Sequence, residues 1–223
     1  LSPETKMTFD AKTAQYYIDK SKKQLFTLHP DDYKKTRLLF DILQVPYYDA
    51  PLEAETMCAD LCKRGLVDGV LTEDTDVLAY SVPVFISKIN INTGECVRIK
   101  YTNLLQKIEL TAPQFLDLCI MCGTDYNKNI YRIGPSKAYD LIKKHDHIDG
   151  IKSNTPHDTS ILKFIRVREI FTDYKKDELK KIPYCGAPEE AILNPFLKKH
   201  NIDISLPYIT KSFINNNVII IEE

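Results

Sequence analysis

The sequence predicts an α/β protein built on a parallel sheet, and three observations carry that expectation. Short β-rich runs at 45–49 and 66–71 alternate with stretches of helical periodicity at 31–43 and 54–62, and a further pair of strand-like runs follows at 84–101. Acidic residues stand where these runs end: Glu53 and Glu55 after the first strand, Asp74 and Asp76 after the second, and Asp125 after a later helix. Strands separated by helices favour parallel pairing. Open sheets of that kind gather ligands beyond the carboxyl ends of their strands, which is where the first two acidic pairs fall.

Taken in order, residues 10–25 surround the pair Tyr16 and Tyr17 with Lys12, Lys20, Lys22 and Lys23 and predict a helix. His29-Pro30-Asp31-Asp32 places a proline and two carboxylates where a helix begins, and Leu38, Leu39, Ile42 and Leu43 recur at helical spacing, so a helix is expected over 31–43. Val45-Pro46-Tyr47-Tyr48-Asp49 reads as a strand leading to Pro51, a residue suited to the first position of a helix. That helix carries Ala54, Met57, Cys58, Leu61 and Cys62 on one face and ends at Gly65. Residues 66–71 form a buried strand, and 77–80 a short helical turn. Residues 84–91 and 95–101 make a hairpin about Asn92-Thr93-Gly94. Helices are expected over 112–122 and 137–145, the second after the turn Ile133-Gly134-Pro135. Beyond His147, residues 161–174 and 189–199 read as helical, 202–208 as irregular or extended, and 215–221 as a terminal strand.

Composition bounds the function. With 223 residues, 43% hydrophobic and 27% charged, the chain reads as soluble and globular, one domain or one with an appendage. No apolar run approaches the roughly 20 residues of a membrane span, and the first residues lack a signal-peptide pattern, so an intracellular protein is expected. The net charge of −1 supplies no global attraction to nucleic acid, so any such contact rests on local patches. The six cysteines are expected to be reduced thiols. Cys119 and Cys122 have zinc-ligand spacing, but no second pair exists and Phe115, Leu116 and Leu118 share their helix, so they read as packed core cysteines.

The acidic residues allow two readings. Magnesium takes oxygen ligands and keeps several waters, so a few carboxylates plus substrate phosphate suffice to hold it. Two such ions about 3.5–4 Å apart stabilise both the attacking and the leaving oxygen of a phosphodiester displacement. The plainer alternative makes Glu53 and Glu55 partners of a helix dipole, and Asp74, Asp76 and Asp125 turn or capping residues. Residues two apart in a regular helix diverge by roughly 200°, so Glu53 and Glu55 converge only if the helix start is irregular.

Three segments carry a more specific signal: Ala50-Pro51-Leu52-Glu53-Ala54-Glu55, Gly69-Val70-Leu71-Thr72-Glu73-Asp74-Thr75-Asp76, and the run from Asp117 to Tyr126 that leads into Ile133-Gly134-Pro135. Their order and spacing resemble the flap endonuclease/XPG family of structure-specific 5′ nucleases, from about Tyr33 to His147. The resemblance implies a PIN-like (Rossmann-like) nuclease core and two magnesium ions, with manganese able to substitute. In that family seven carboxylates bind the metal pair; Glu53, Glu55, Asp74, Asp76 and Asp125 match five of them as catalytic metal ligands. The remaining two come from the family's N-terminal half, and no aspartate near the start of this chain has the required context. The expectation is therefore the C-terminal part of a longer nuclease, with an incomplete metal shell and little activity by itself.

The resemblance also makes Ile133-Gly134-Pro135-Ser136-Lys137 a helix-hairpin-helix element gripping duplex phosphate. It implies potassium held by the carbonyls of Asn129, Ile130 and Ile133, and DNA contacts from Arg132, Gly134, Ser136, Lys137, Lys143 and Lys144. Arg132 stands where many relatives have glycine, and Ser136 where many have a basic residue. Lys12, Lys20, Lys22 and Lys23 fit either the tail of a flap-threading arch or a solvated helix face, the latter preferred. The interleaved tyrosines read as packing residues rather than base-stacking platforms.

The implied organisation is an arch-like or N-terminal extension over 1–28, an α/β nuclease core over 29–122 without its N-terminal half, the helix-hairpin-helix element over 123–147, and a helical region over 148–223 packing on the core. The implied partner is branched or flapped duplex DNA, together with the missing N-terminal half; there is no membrane and no recognisable sliding-clamp motif. The location implied is nuclear, or cytoplasmic for a virus, and high Ile, Lys and Asn usage points to an AT-rich genome such as that of a large DNA virus. The function expected is magnesium-dependent cleavage at DNA branches in replication, repair or recombination. The alternatives are a non-catalytic junction-binding module and a phosphohydrolase unrelated to DNA.

Overall fold

A computed structural model of the chain describes residues 11–24, 27–173, 178–204 and 220–222. They fall into two compact units, one made of residues 1–47 and 185–210, the other of 48–184 and 211–223. The boundaries expected at 28/29 and 147/148 do not coincide with this division, because the last long helix belongs with the first unit.

The first unit contains α1 (Ala11–Gln24), α2 (Pro30–Leu43) and α10 (Glu190–Lys199). Proline opens α2 where no amide donor is needed, and the Asp32 carboxylate accepts from the His29 amide at 3.0 Å. Ile42 of α2 is buried with Leu193, Phe196 and Leu197 of α10 in a small apolar cluster. The amides of Gly186 and Glu189 bond to the carbonyls of Gln44 and Ile42 and bring the chain back to α2. On α1, Tyr16 and Tyr17 are exposed. The side chains of Lys12, Lys20, Lys22 and Lys23 lie outside the described residues, as do residues 205–219, where an extended segment and most of the terminal strand were expected.

The second unit holds α3 (Ala54–Lys63), β1 (Val70–Leu71), α4 (Asp76–Ala79), β2 (Val84–Ser87), β3 (Cys96–Lys100), α5 (Tyr101–Ile108), α6 (Ala112–Cys122), α7 (Pro135–His145), α8 (Ile148–Asn154), α9 (Phe164–Thr172) and β4 (Ile220–Glu222). The sheet runs β1-β2-β3-β4 and is mixed: β1 and β2 are parallel, β2 and β3 antiparallel, β3 and β4 parallel. This corrects the expected parallel sheet. The predicted hairpin is present, and a connection as short as 88–95 cannot join parallel strands. The Asn90 side chain accepts from the amides of Asn92 and Thr93, and Gly94 takes a positive φ of 77°, which closes that turn.

Two other strands differ from expectation. Residues 45–49 form no strand, since Pro46 has no amide donor and the Val45 amide bonds back to Phe40 at the end of α2. The strand expected over 66–71 shrinks to Val70–Leu71, because the amides of Gly65 and Leu66 close the end of α3 on Cys62 and Leu61. The helix expected over 161–174 breaks at Lys163, whose φ of 47° separates a 3₁₀ turn at Ser160–Leu162 from α9. Helices α5 and α8 were not anticipated.

One core, with Val77, Val82 and Phe85 at its sheet side and Ile120, Ile142, Ile148, Val167 and Phe171 among its helices, holds this unit together. Cys119 packs against it, and burial, with Cys122 and Asp76 adding, pushes its thiol up to about 12. Such a thiol stays protonated at neutral pH. Among the described residues no helix is long and apolar enough to cross a membrane.

Candidate active site

Glu53 is the N-cap residue of α3, with extended backbone (φ −71°, ψ 139°) and no capping bond from its side chain. Because it stands outside the helix, the 200° divergence from Glu55 in the first turn does not apply.

Beyond β1 the chain is fixed by consecutive side-chain bonds. The Thr72 amide pairs with the Ile86 carbonyl, the Thr72 hydroxyl accepts from the Asp74 amide at 3.0 Å, and the Asp74 carboxylate accepts from the Asp76 amide at 2.9 Å. One oxygen of Asp74 is thus a capping group for α4. Asp125 sits at the tip of a tight turn after α6. Gly123 ends that helix at φ 95°, Thr124 and Asn127 exchange backbone bonds, and the buried Asn127 amide donates to the Ile120 carbonyl at 2.8 Å. The turn is held from below, and the Asp125 side chain stays exposed.

These three stretches converge. The half-buried Asp76 carboxyl is held above the ordinary aspartate range, first by burial and then by the negative charges of Asp74, Asp125 and Glu55. The Tyr126 phenol is likewise pushed up, first by burial, then by the Tyr80 hydroxyl at 3.3 Å, with Glu53 and Asp125 adding. All five predicted carboxylates therefore act on one neighbourhood, although among the described residues no three His, Cys, Asp or Glu side chains form an arrangement that holds a metal ion. The five predicted ligands are carboxylates, the donor type that suits magnesium or manganese. Their mutual repulsion is of the kind a divalent cation relieves. Asp76 and Asp125 line one wall of a cavity of about 580 Å³ that also meets Lys128, Tyr131 and Ile161.

Residues 123–134 connect α6 to α7. Gly134 is the N-cap of α7 and makes no side-chain bond, and Pro135 follows it. The Ala138 amide bonds to the Gly134 carbonyl, and the amides of Ser136 and Lys137 precede the first intrahelical bond, a start that can receive an anion. Gly134 has a φ of −94°, open to any residue, and a Cβ built there meets nothing within 4 Å. Nothing inside the protein requires glycine at this position. Arg132 takes the left-handed conformation at φ 62°, as suits a position where glycine is usual in the family it resembles. Of the carbonyls expected to hold potassium, Ile130 accepts from the Ile133 amide and Ile133 from the Asn129 side chain. Lys137 and Lys144 line a cavity of about 370 Å³ with Arg132, in which Asp140 is an opposing charge. Lys143 is engaged within the protein, its ammonium bonding the Glu109 carboxylate and carbonyl and tying α7 to the end of α5.

A buried ion pair escaped the sequence reading. Asp117, inside α6, accepts two bonds of 2.6 Å from the Arg168 guanidinium of α9, one from the Ile148 amide, and a contact with His147 Nδ1 at 3.2 Å. Its signal was a lone carboxylate in the apolar run Phe115-Leu116-Asp117-Leu118, where a charge needs a partner.

The sequence pattern of the XPG I-region matches residues 44–125, a stretch that contains all five carboxylates and ends on the last of them. The probable RAD2-like endonuclease 369L of Invertebrate iridescent virus 6 is 33% identical over 232 residues, covering 94% of this chain and 56% of the relative. The chain belongs to the flap endonuclease/XPG family. Flap endonuclease 1 of Cryptosporidium muris is 39% identical to this XPG-family chain over 185 residues, 74% of the chain and 39% of the relative. The XPG-family chain thus spans about half the length, or less, of these curated relatives. Among solved structures, flap endonuclease-1 from Methanococcus jannaschii superposes with a TM-score of 0.68 at 22% identity, over 93% of this chain and 64% of that one. The catalytic core of Rad2 in complex with DNA substrate gives 0.70 at 20% identity, over 84% of this chain and 70% of that one. These likenesses establish an α/β nuclease-core fold with a small mixed sheet.

Proposed function

We propose that this chain supplies most of the acidic metal site and the duplex grip of a magnesium-dependent, structure-specific 5′ nuclease acting on branched DNA. The observation that carries the reading is the convergence of Glu55, Asp74 and Asp125 on Asp76 from three separate stretches of sequence. In this reading Glu53, Glu55, Asp74, Asp76 and Asp125 would hold divalent ions, which would supply Lewis acidity and activate water. The chain's own residues position the phosphodiester. The start of α7 takes a phosphate on the Ser136 and Lys137 amides, as a helix-hairpin-helix element would, while Arg132, Lys137 and Lys144 add attraction without sequence preference. Potassium at the Asn129, Ile130 and Ile133 carbonyls is part of the same proposal. Lys143, whose pair with Glu109 lies at the surface, adds to the same attraction.

The test is cleavage of a 5′-flap duplex in magnesium by the full-length protein that carries this chain and by its Asp74→Asn variant. Asparagine keeps an oxygen for the Asp76 amide, so the turn survives while the charge is lost. Cleavage is expected to fall roughly 100-fold or more, beyond the usual cost of disturbing an outer-shell partner, with duplex binding retained. A second reading, a junction-binding module without activity of its own, draws on the Asp74 oxygen already engaged by the Asp76 amide, as in a plain capping turn. Tight duplex binding by a full-length wild type that never cleaves in magnesium selects it.

A further inference from the structure

Tyr131 occupies a position that packing does not explain. It is 81% exposed, whereas the two isoleucines of the same turn, Ile130 and Ile133, are buried at 8% and 4%. It lines the acidic cavity with Asp76 and Asp125 and also the basic cavity with Arg132, Lys137 and Lys144, so the two share it as a common wall. The Arg132 guanidinium lies 5.1 Å from its ring centroid, and the rest of the ring is open to solvent. Ile161, 44% exposed on the 3₁₀ turn, also lines the acidic cavity and adds apolar surface to it.

Resting on the nuclease reading above, we infer that Tyr131 is a nucleotide-binding residue: an unstacked base of the DNA packs on its ring, between the phosphate held at the start of α7 and the phosphate at the acidic cluster. A polynucleotide bridging the cationic and the acidic cavity has to pass over their shared wall. The neighbouring cations Lys128, Arg132 and Lys137 complement its backbone. An exposed aromatic ring flanked by cations is how proteins hold unstacked bases without regard to sequence, since every base has a π-face. Arg132 presents its charge on that same ring, as a cation does when it completes a stack.

The protein contains no tryptophan, so Tyr131→Trp introduces a single reporter. The variant is titrated with a 5′-flap duplex in EDTA, with fluorescence anisotropy of labelled DNA measuring binding independently. Emission is expected to be quenched about two-fold at saturation, as stacked bases quench indole, while Tyr184→Trp, at a residue 96% exposed and outside both cavities, stays bright. In parallel, Tyr131→Phe is expected to keep wild-type affinity and Tyr131→Ala to weaken it about 10-fold. DNA that binds while the Tyr131→Trp emission stays unchanged overturns this inference and leaves the nuclease reading standing. No DNA binding by the wild type overturns both.

Discussion

At the scale of single residues, Gly134 and Gly150 divide in what they answer to. A Cβ at Gly150 would collide with the His145 carbonyl oxygen, so the packing of α8 against the end of α7 demands glycine there. At Gly134 the backbone is ordinary and the space is open, so a requirement for glycine must come from something outside the protein. Gly134→Ala is therefore expected to change stability by less than about 1 kcal/mol, the gain through the unfolded chain being offset by a poorer N-cap. If a phosphate closes on that backbone, the same variant weakens duplex binding several-fold. Urea denaturation and a binding titration on one preparation read both effects, and unchanged DNA affinity removes Gly134 from the interface.

At the scale of elements, the Asp117–Arg168 pair fastens three helices. Asp117 in α6 is fully buried, its partner Arg168 comes from α9, and the Ile148 amide it accepts belongs to the start of α8. Asp125 rides on the end of α6, so this pair fixes the platform from which the acidic turn projects. Removing one member of a buried pair strands the other, at a cost of about 3–5 kcal/mol. Asp117→Ala should lower the urea midpoint accordingly, with Arg168 keeping only Asp149, at 2.8 Å. A loss under about 1 kcal/mol would mean that water replaces the carboxylate, and that α9 is not anchored by charge. Helix α7 has its own tie to α5 through Lys143 and Glu109, both near the surface and worth little by themselves.

For the whole molecule, a cation bound at the acidic neighbourhood would link folding to ligand binding. Four carboxylates are brought within reach of one another in the native state, and the half-buried Asp76 carries the consequence. A cation that binds this arrangement and not the unfolded chain stabilises the fold by mass action. Magnesium at about ten times its dissociation constant is expected to add roughly 1.4 kcal/mol, which is about 3–5 °C in Tm for a chain of this size. Differential scanning fluorimetry with and without EDTA measures it, and Asp76→Asn should abolish the response while raising the cation-free Tm. An equal magnesium response in that variant would place the ion elsewhere.

The helices at 112–122 and 137–145, the α2 and α10 helices and the 84–101 hairpin were legible because each is encoded locally, by apolar period, capping residues or turn chemistry. The acidic residues were legible as a set because their contexts at element starts and ends are local too. The direction of the sheet was not. It depends on which strands meet, and the hairpin alone already ruled out the parallel sheet that strand–helix alternation suggested. Nor could sequence see that Glu53 escapes its helix, that Lys143 pairs with Glu109, that Asp117 finds Arg168, or that Tyr131 is exposed where Ile130 and Ile133 are buried. The chain itself determined where its elements begin and which chemistry stands at their ends, since both are set by residues a few positions apart. Only the tertiary structure decided which carboxylates share a field and which cations remain for a ligand, because charge and burial act across space, between residues that the sequence keeps far apart.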